Sequence, residues 1–148
     1  MSFHRILCPV DFSSGSRAAL RTACELASAS RATLVIVHVI ETRMWVAEAM
    51  IELTSPSAAS EADRLQSELT EWKAEARKLG VGEVKTELLT SATAWDRIVD
   101  TAREGAFDLI VIGSHGRTGL ARAVIGSVAE NVVRHASCPV LVVPLPRE

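Results

Sequence analysis

The stretch Asp108–Val143, "DLIVIGSHGRTGLARAVIGSVAENVVRHASCPVLVV", decides the fold. It opens on a short apolar run, DLIVIG (Asp108–Gly113), and passes through a loop punctuated by glycine. It then carries Val128, Val132 and Val133 at helical spacing and closes on a second apolar run, PVLVVP (Pro139–Pro144). Strands covered on both faces read as continuous apolar runs, and two of them joined through a helix form the connection that a parallel pair requires.

The same alternation recurs outward from this unit. RILCPV (Arg5–Val10), TLVIVHVI (Thr33–Ile40) and VKTELL (Val84–Leu89) read as three further strands. Between them, SSGSRAALRTACELASAS offers Ser13 or Ser14 as an N-cap and Leu20, Cys24 and Ala27 as an apolar face. Ser60–Gly80 places Ala62, Leu65, Leu69, Trp72, Ala76 and Leu79 at spacings of three and four, with Gly80 as the stop signal and Trp72 expected in the core. A further helix over Thr93–Glu104 carries Trp95, Ile98, Val99 and Ala102, and one over Ser127–Ala136 carries the valines already named. The order β-α-β-α-β-α-β-α-β, with right-handed crossovers, predicts an α/β fold: an open, mainly parallel sheet with helices on both faces. ETRMWVAEAMIELTSPSAA (Glu41–Ala59) lacks a clear period and is expected to be a connection with one helical turn.

Composition bounds the function. At 148 residues and 48% apolar, the chain is expected to form a single domain, residues 1–148, around one core. Sixteen Lys+Arg against eighteen Asp+Glu leave a net charge of -2, so no basic field recommends nucleic acid as a partner. MSFHRILCPVDF has too short an apolar run for a secretory leader and no stretch approaches a membrane span, so a cytoplasmic protein without membrane association is expected. Cys8, Cys24 and Cys138 lack CxxC spacing and read as small buried hydrophobes.

In an open parallel sheet, ligands sit beyond the carboxyl ends of the strands where the strand order reverses, usually beside the first strand. Two loops leave such ends with suitable chemistry: PVDFSSGS (Pro9–Ser16) and GSHGRTGLARAVIGS (Gly113–Ser127). A phosphate needs backbone N–H groups that converge without Cβ atoms in the way, and a helix N-terminus adds unpaired donors. Gly113 ends a strand, Gly116 permits close approach, and Gly126 with Ser127 opens the last helix. The GxxxxGK[ST] loop and the GxGxxG fingerprint are both absent. The glycines alone leave an anion site and a plain connection both open.

Taken together, the segments resemble the universal stress protein family. Gly113, Gly116, Gly126 and Ser127 fit its nucleotide-binding motif G-x2-G-x9-G-[ST], and ILCPVDFSSGSRAAL and LVIVHVI are similar to family segments. The likeness covers essentially the whole chain apart from about Arg43–Ala59. It implies an adenine nucleotide alpha hydrolase-like fold with five parallel strands in the order 3-2-1-4-5, and ATP or AMP as ligand, with Mg2+ held by the phosphates. It implies a site that includes Pro9, Val10 and Asp11, with Asp11 near the adenosine, and Val39 in the adenine pocket. Ile112 and Gly113 would lie close to the ligand, and Gly116, Gly126, Ser127 and Val128 around ribose and phosphates. Arg117 could steer phosphates from the loop. Asp11 is alternatively an Asx-type cap of the DFSS turn, and His115 is either a solvated loop residue or a phosphate contact.

The function implied is adenine-nucleotide binding in stress response through a homodimer, the edge strand Val140–Val143 pairing with its copy. Asp11, His115 and Arg117 form no convincing hydrolytic constellation, so ATP turnover is expected to be slow or absent. A dimeric interaction module without nucleotide affinity and a weak ATPase are the alternatives. Two departures bear on them. Ala129 stands where nucleotide-binding relatives commonly have threonine or serine, and Ala92 and Ala94 stand where relatives often show glycine and proline.

Overall fold

The computed structural model describes residues 2–42, 56–115 and 125–146. Its elements run β1 (Arg5–Pro9), α1 (Ser14–Ser30), β2 (Thr33–Glu41), α2 (Pro56–Lys78), β3 (Glu83–Ser91), α3 (Ala94–Glu104), β4 (Leu109–Gly113), α4 (Ser127–His135) and β5 (Val140–Val143). The five strands form one sheet in the order β3-β2-β1-β4-β5, and every pairing is parallel. This is the open α/β fold and the strand order expected from the sequence.

The sheet is two-sided because its apolar runs alternate across the pleat. Ile6, Cys8, Leu34, Ile36, Leu109 and Val111 face one side, where α1 and α2 cover them with Leu20, Cys24, Leu69, Trp72 and Ala76. Leu7, Val35, Val37, Ile110 and Ile112 face the other, beneath Ile98, Val99 and Ala102 of α3 and Ala129 and Val132 of α4. Ile6, Leu7, Ile36 and Ile110 are fully buried. Each such side chain contributes about 1.5–3 kcal/mol, so the central strands anchor the molecule.

Element boundaries differ in instructive places. α2 begins at Pro56, so Pro56–Ala59, expected in a connection, are helical. Proline suits the first helical position, where its missing N–H would be unpaired in any case. Residues 43–55 of that expected connection lie outside the described residues. Trp72 is buried as expected. Leu79 and Val133, both expected on apolar faces, are instead 47% and 49% exposed. Leu79 lies just past the end of α2, where Gly80 turns the chain at a φ of 96°. On α4 the buried pair is Ala129 and Val132, and Val133, one residue further round, points away.

β1 has β2 on one side and β4 on the other. The chain builds outward from β1 through β2 to β3, then crosses back to lay β4 against the other edge of β1. The order therefore reverses between β1 and β4, and their carboxyl ends lead into loops that diverge from one another.

Candidate functional site

A cleft of about 470 Å³ opens at this reversal, within the ~300–1,000 Å³ typical of small-molecule sites. It is framed by three junctions: the β1–α1 turn, the end of β2 with the start of α3, and the β4–α4 connection.

The β1–α1 turn is built around Asp11. Its Oδ1 accepts from the Ser13 N–H at 3.0 Å and from the hydroxyls of Ser13 and Ser16 at 2.5 and 2.6 Å. The Asp11 N–H in turn donates to Ser16 Oγ at 2.9 Å. Ser13 caps α1, accepting from the Ser16 N–H at 3.2 Å. Asp11 is thus an Asx-type organiser of the turn and also a wall of the cleft. The two readings left open by the sequence are compatible. Phe12 sits at a φ of 65°, unusual for a bulky residue. Its ring lies 4.9 Å from His38 and 5.2 Å, edge-on, from Trp72, and that burial offsets the backbone cost. His38 Nδ1 donates to the Val10 carbonyl at 2.6 Å, which ties the turn to β2.

The β4–α4 connection supplies the second wall. Ser114 and His115 are both buried, with Ser114 Oγ and His115 Nδ1 2.8 Å apart. His115 is therefore no solvated loop residue; it lines the cleft. The Ser114 N–H donates to Val143 O at 2.8 Å and the Gly126 N–H to Ser114 O at 2.7 Å, so the connection is laced to β5 and closed upon itself. Gly126 is the N-cap of α4 and offers no capping side chain. The N–H groups of a helix's first turn have no partner within the helix, and here they belong to Ser127, Val128 and Ala129, which line the cleft. Such a terminus favours an anion.

Two glycines have steric roles. A Cβ on Gly113 would lie 2.8 Å from the carbonyl oxygen of Gly15, and a Cβ on Gly15 would collide with the carbonyl oxygen of His115. Gly113 is thus needed first for the approach of α1 to β4. Gly15 was not singled out by sequence, because its constraint comes from a residue a hundred positions away.

The third junction is largely apolar. Val39, Ile98, Ile112 and Val128 line it, and Ala94 begins α3 there. Thr93, the N-cap of α3, makes no side-chain cap bond; Glu41 Oε1 accepts from the Ala94 N–H instead, at 3.0 Å. Ala94 thus keeps an N–H that a proline would lack and gives it to Glu41.

Of the residues expected at the site, Pro9, Val10, Asp11, Val39, Ile112, Gly113, Gly126, Ser127 and Val128 are brought together around one cleft. Gly116 and Arg117 lie outside the described residues. Ser16, His38 and Glu41 also line the cleft without having been anticipated. Of these, Ser16 left a trace in sequence, since SSGS is dense in N-cap residue types. Ala129 lines the cleft too, at 2% exposure. Among the described residues, no group of three or more His, Cys, Asp and Glu side chains is placed to hold a metal ion, and no helix is long and apolar enough to cross a membrane.

Comparison with known proteins agrees with this architecture. The Universal stress protein family model matches residues 2–144. A universal stress protein of Methanocaldococcus jannaschii is 36% identical over 149 residues, spanning 99% of this chain and 85% of that protein. A universal stress protein solved in complex with cAMP is similar with a TM-score of 0.74 and 25% identity, over 99% of this chain and 100% of that one. The universal stress protein of Archaeoglobus fulgidus in complex with dAMP is similar with a TM-score of 0.69 and 28% identity, over 96% and 98% of the two chains. On sequence pattern, strand order and this breadth of likeness, the chain belongs to the universal stress protein family.

Proposed function

We propose that the cleft binds an adenine nucleotide, ATP or AMP, and that the protein acts in stress response in the cytoplasm as a homodimer whose state depends on that ligand. The observation that carries this is the pairing, in one cleft, of an apolar slot (Val39, Ile98, Ile112, Val128) with the uncapped N-terminus of α4. A flat apolar base with a phosphate on one side calls for that pairing. The relatives solved with cAMP and dAMP hold ligands of this type. Any Mg2+ would ride on the phosphates rather than on a protein cage. Asp11 Oδ1 is committed to Ser13 and Ser16, which fits slow or absent hydrolysis better than a general base.

Ala129 favours the second reading, a dimeric interaction module of low nucleotide affinity, because no hydroxyl stands at that point of the cleft wall. Calorimetry separates the two. Heat is expected with AMP and ATP from the native chain, and loss of it in Gly126→Val, whose first added carbon would already lie 3.1 Å from Ser114 O. No heat with either nucleotide would sink the binding reading. For the dimer, β5 is an edge strand with Leu141 38% exposed, and pairing with its copy would satisfy the edge. A monomer mass by light scattering at micromolar protein would count against it.

A further inference from the structure

We propose that His38 is a specificity residue of the cleft, its ring nitrogen Nε2 accepting a hydrogen bond from a sugar hydroxyl of the ligand; this rests on the nucleotide reading of the cleft. The contact of β2 with the β1–α1 turn sets the tautomer. Nδ1 lies 2.6 Å from the Val10 carbonyl oxygen, which can only accept, so the proton of the neutral ring sits on Nδ1 and Nε2 presents a lone pair. A ring flip would set a carbon against that carbonyl, and the Phe12 ring, 4.9 Å away, packs on the imidazole as it stands. Among the described residues nothing pairs with Nε2, which is not one of the polar atoms sealed in the core, and the half-buried side chain lines the cleft. An acceptor held in one tautomer on a cleft wall, without a protein donor, is left to the ligand.

The chemistry of the cleft selects the donor. A phosphate oxygen is itself an acceptor and offers this lone pair nothing. The base is separated from it by the pleat: Val39 faces the apolar slot with Ile98 and Ile112, whereas His38, one residue earlier on β2, faces the other side of the sheet with Phe12. The sugar, joined to a base in that slot, is the part that crosses the carboxyl edge of the sheet towards His38, and its hydroxyls are donors. The neighbouring Ser16 hydroxyl is already engaged both ways, donating to Asp11 Oδ1 at 2.6 Å and accepting from the Asp11 N–H at 2.9 Å. His38 thereby favours a ribonucleotide over its deoxy forms.

The test uses the intact protein and two variants that divide the imidazole. His38→Asn puts an amide N–H near the place of Nδ1, keeping the bond to Val10 and losing the group at Nε2; His38→Gln reaches the place of Nε2 with an acceptor oxygen and gives up the bond to Val10. By calorimetry the native chain should bind AMP about two- to tenfold more tightly than the 2′-deoxy or the 3′-deoxy form, the effect of one hydrogen bond between uncharged groups. The preference should vanish in His38→Asn, with a near-native melting temperature, and persist in His38→Gln, with a lower one; a merely structural role gives the opposite pattern. By NMR of the isotope-labelled native protein at about pH 8, above the ordinary imidazole range, the proton is expected on Nδ1 and the Nε2 resonance should move on addition of AMP. A proton on Nε2, an Nε2 resonance unmoved by AMP, equal affinity for AMP and both deoxy forms, or a preference that survives in His38→Asn would overturn the proposal. A His38-dependent preference for AMP over inosine monophosphate, with none over the deoxy forms, would place the base amine there and overturn it too. Absence of AMP binding removes the nucleotide reading and the proposal together, whereas AMP binding without the preference removes the proposal alone.

Discussion

Replacing Gly15 by alanine sets two physical effects against each other with opposite signs. Gly15 lies in the first turn of α1, and for a helix interior the change removes backbone freedom from the unfolded chain and should stabilise by up to about 1 kcal/mol. In the folded protein, however, the added Cβ would collide with the backbone carbonyl oxygen of His115, and the Leu145 side chain lies 3.5 Å from it as well. A side-chain obstacle can change rotamer, but a backbone carbonyl cannot; α1 or the start of the β4–α4 connection must move. Overpacking of this kind costs about 1–3 kcal/mol, here at the upper end, so the expected net loss is about 1–2 kcal/mol. Urea denaturation should show a midpoint lower by roughly 0.5–1 M with an unchanged slope. Gly82→Ala is the control, because nothing lies within 4 Å of a Cβ there, and it should leave the midpoint nearly unmoved. Since His115 and Ser16 both line the cleft, AMP affinity should fall with stability in Gly15→Ala. A native-like or raised midpoint would refute the claim that close approach of α1 to β4 sets this position.

Ala129→Ser should tighten AMP binding about ten- to a hundredfold by adding a hydrogen bond to a charged phosphate, while lowering stability without ligand by about 1 kcal/mol, because a hydroxyl is then buried at a nearly closed site; calorimetry and denaturation should therefore move in opposite directions, and a change in stability alone would favour the interaction-module reading. The buried thiols predict alkaline instability: burial, then the Glu75 and Glu25 carboxylates, push Cys24 up to about 11, and burial followed by Cys24 raises Cys8 further. Above the unfolded thiol value of about 8.5 the unfolded chain sheds protons that the folded one keeps, so stability is full below that pH and falls as pH rises towards 11, by up to about 1.4 kcal/mol per pH unit for each thiol. Urea midpoints measured from pH 8 to 11 check this, and a flat profile in the native chain, or an unchanged slope in Cys24→Ala, would contradict it.

Legibility in the sequence followed the range of the interactions concerned. Strands such as TLVIVHVI and DLIVIG declared themselves because a strand covered on both faces must be apolar throughout, and that requirement is local. Ser13 was readable as a cap because its partner, Ser16, is three residues away. Boundaries failed where the decisive contact was elsewhere: Leu79 fits the apolar stripe of α2 by spacing, but the helix ends at Lys78, just before that residue. Of the two readings of His115, the solvated loop residue fails because the side chain is buried, and nothing in SHG announces that Gly15 of α1 packs against its carbonyl.

By itself, then, the sequence determined the alternation of strands and helices, the right-handed parallel sheet that alternation entails, and the two loops that leave its carboxyl edge. It did so because periodicity and chain connectivity are properties of neighbouring residues. The tertiary structure alone decided how those loops combine: Gly113 and Gly15 as a backbone contact between β4 and α1, Asp11 as organiser and wall at once, and Glu41 as the carboxylate at the start of α3. Gly15 meets Gly113 and His115 because β4 lies beside β1, and Glu41 reaches the Ala94 N–H because β2 runs beside β3, with Glu41 opposite Ser91.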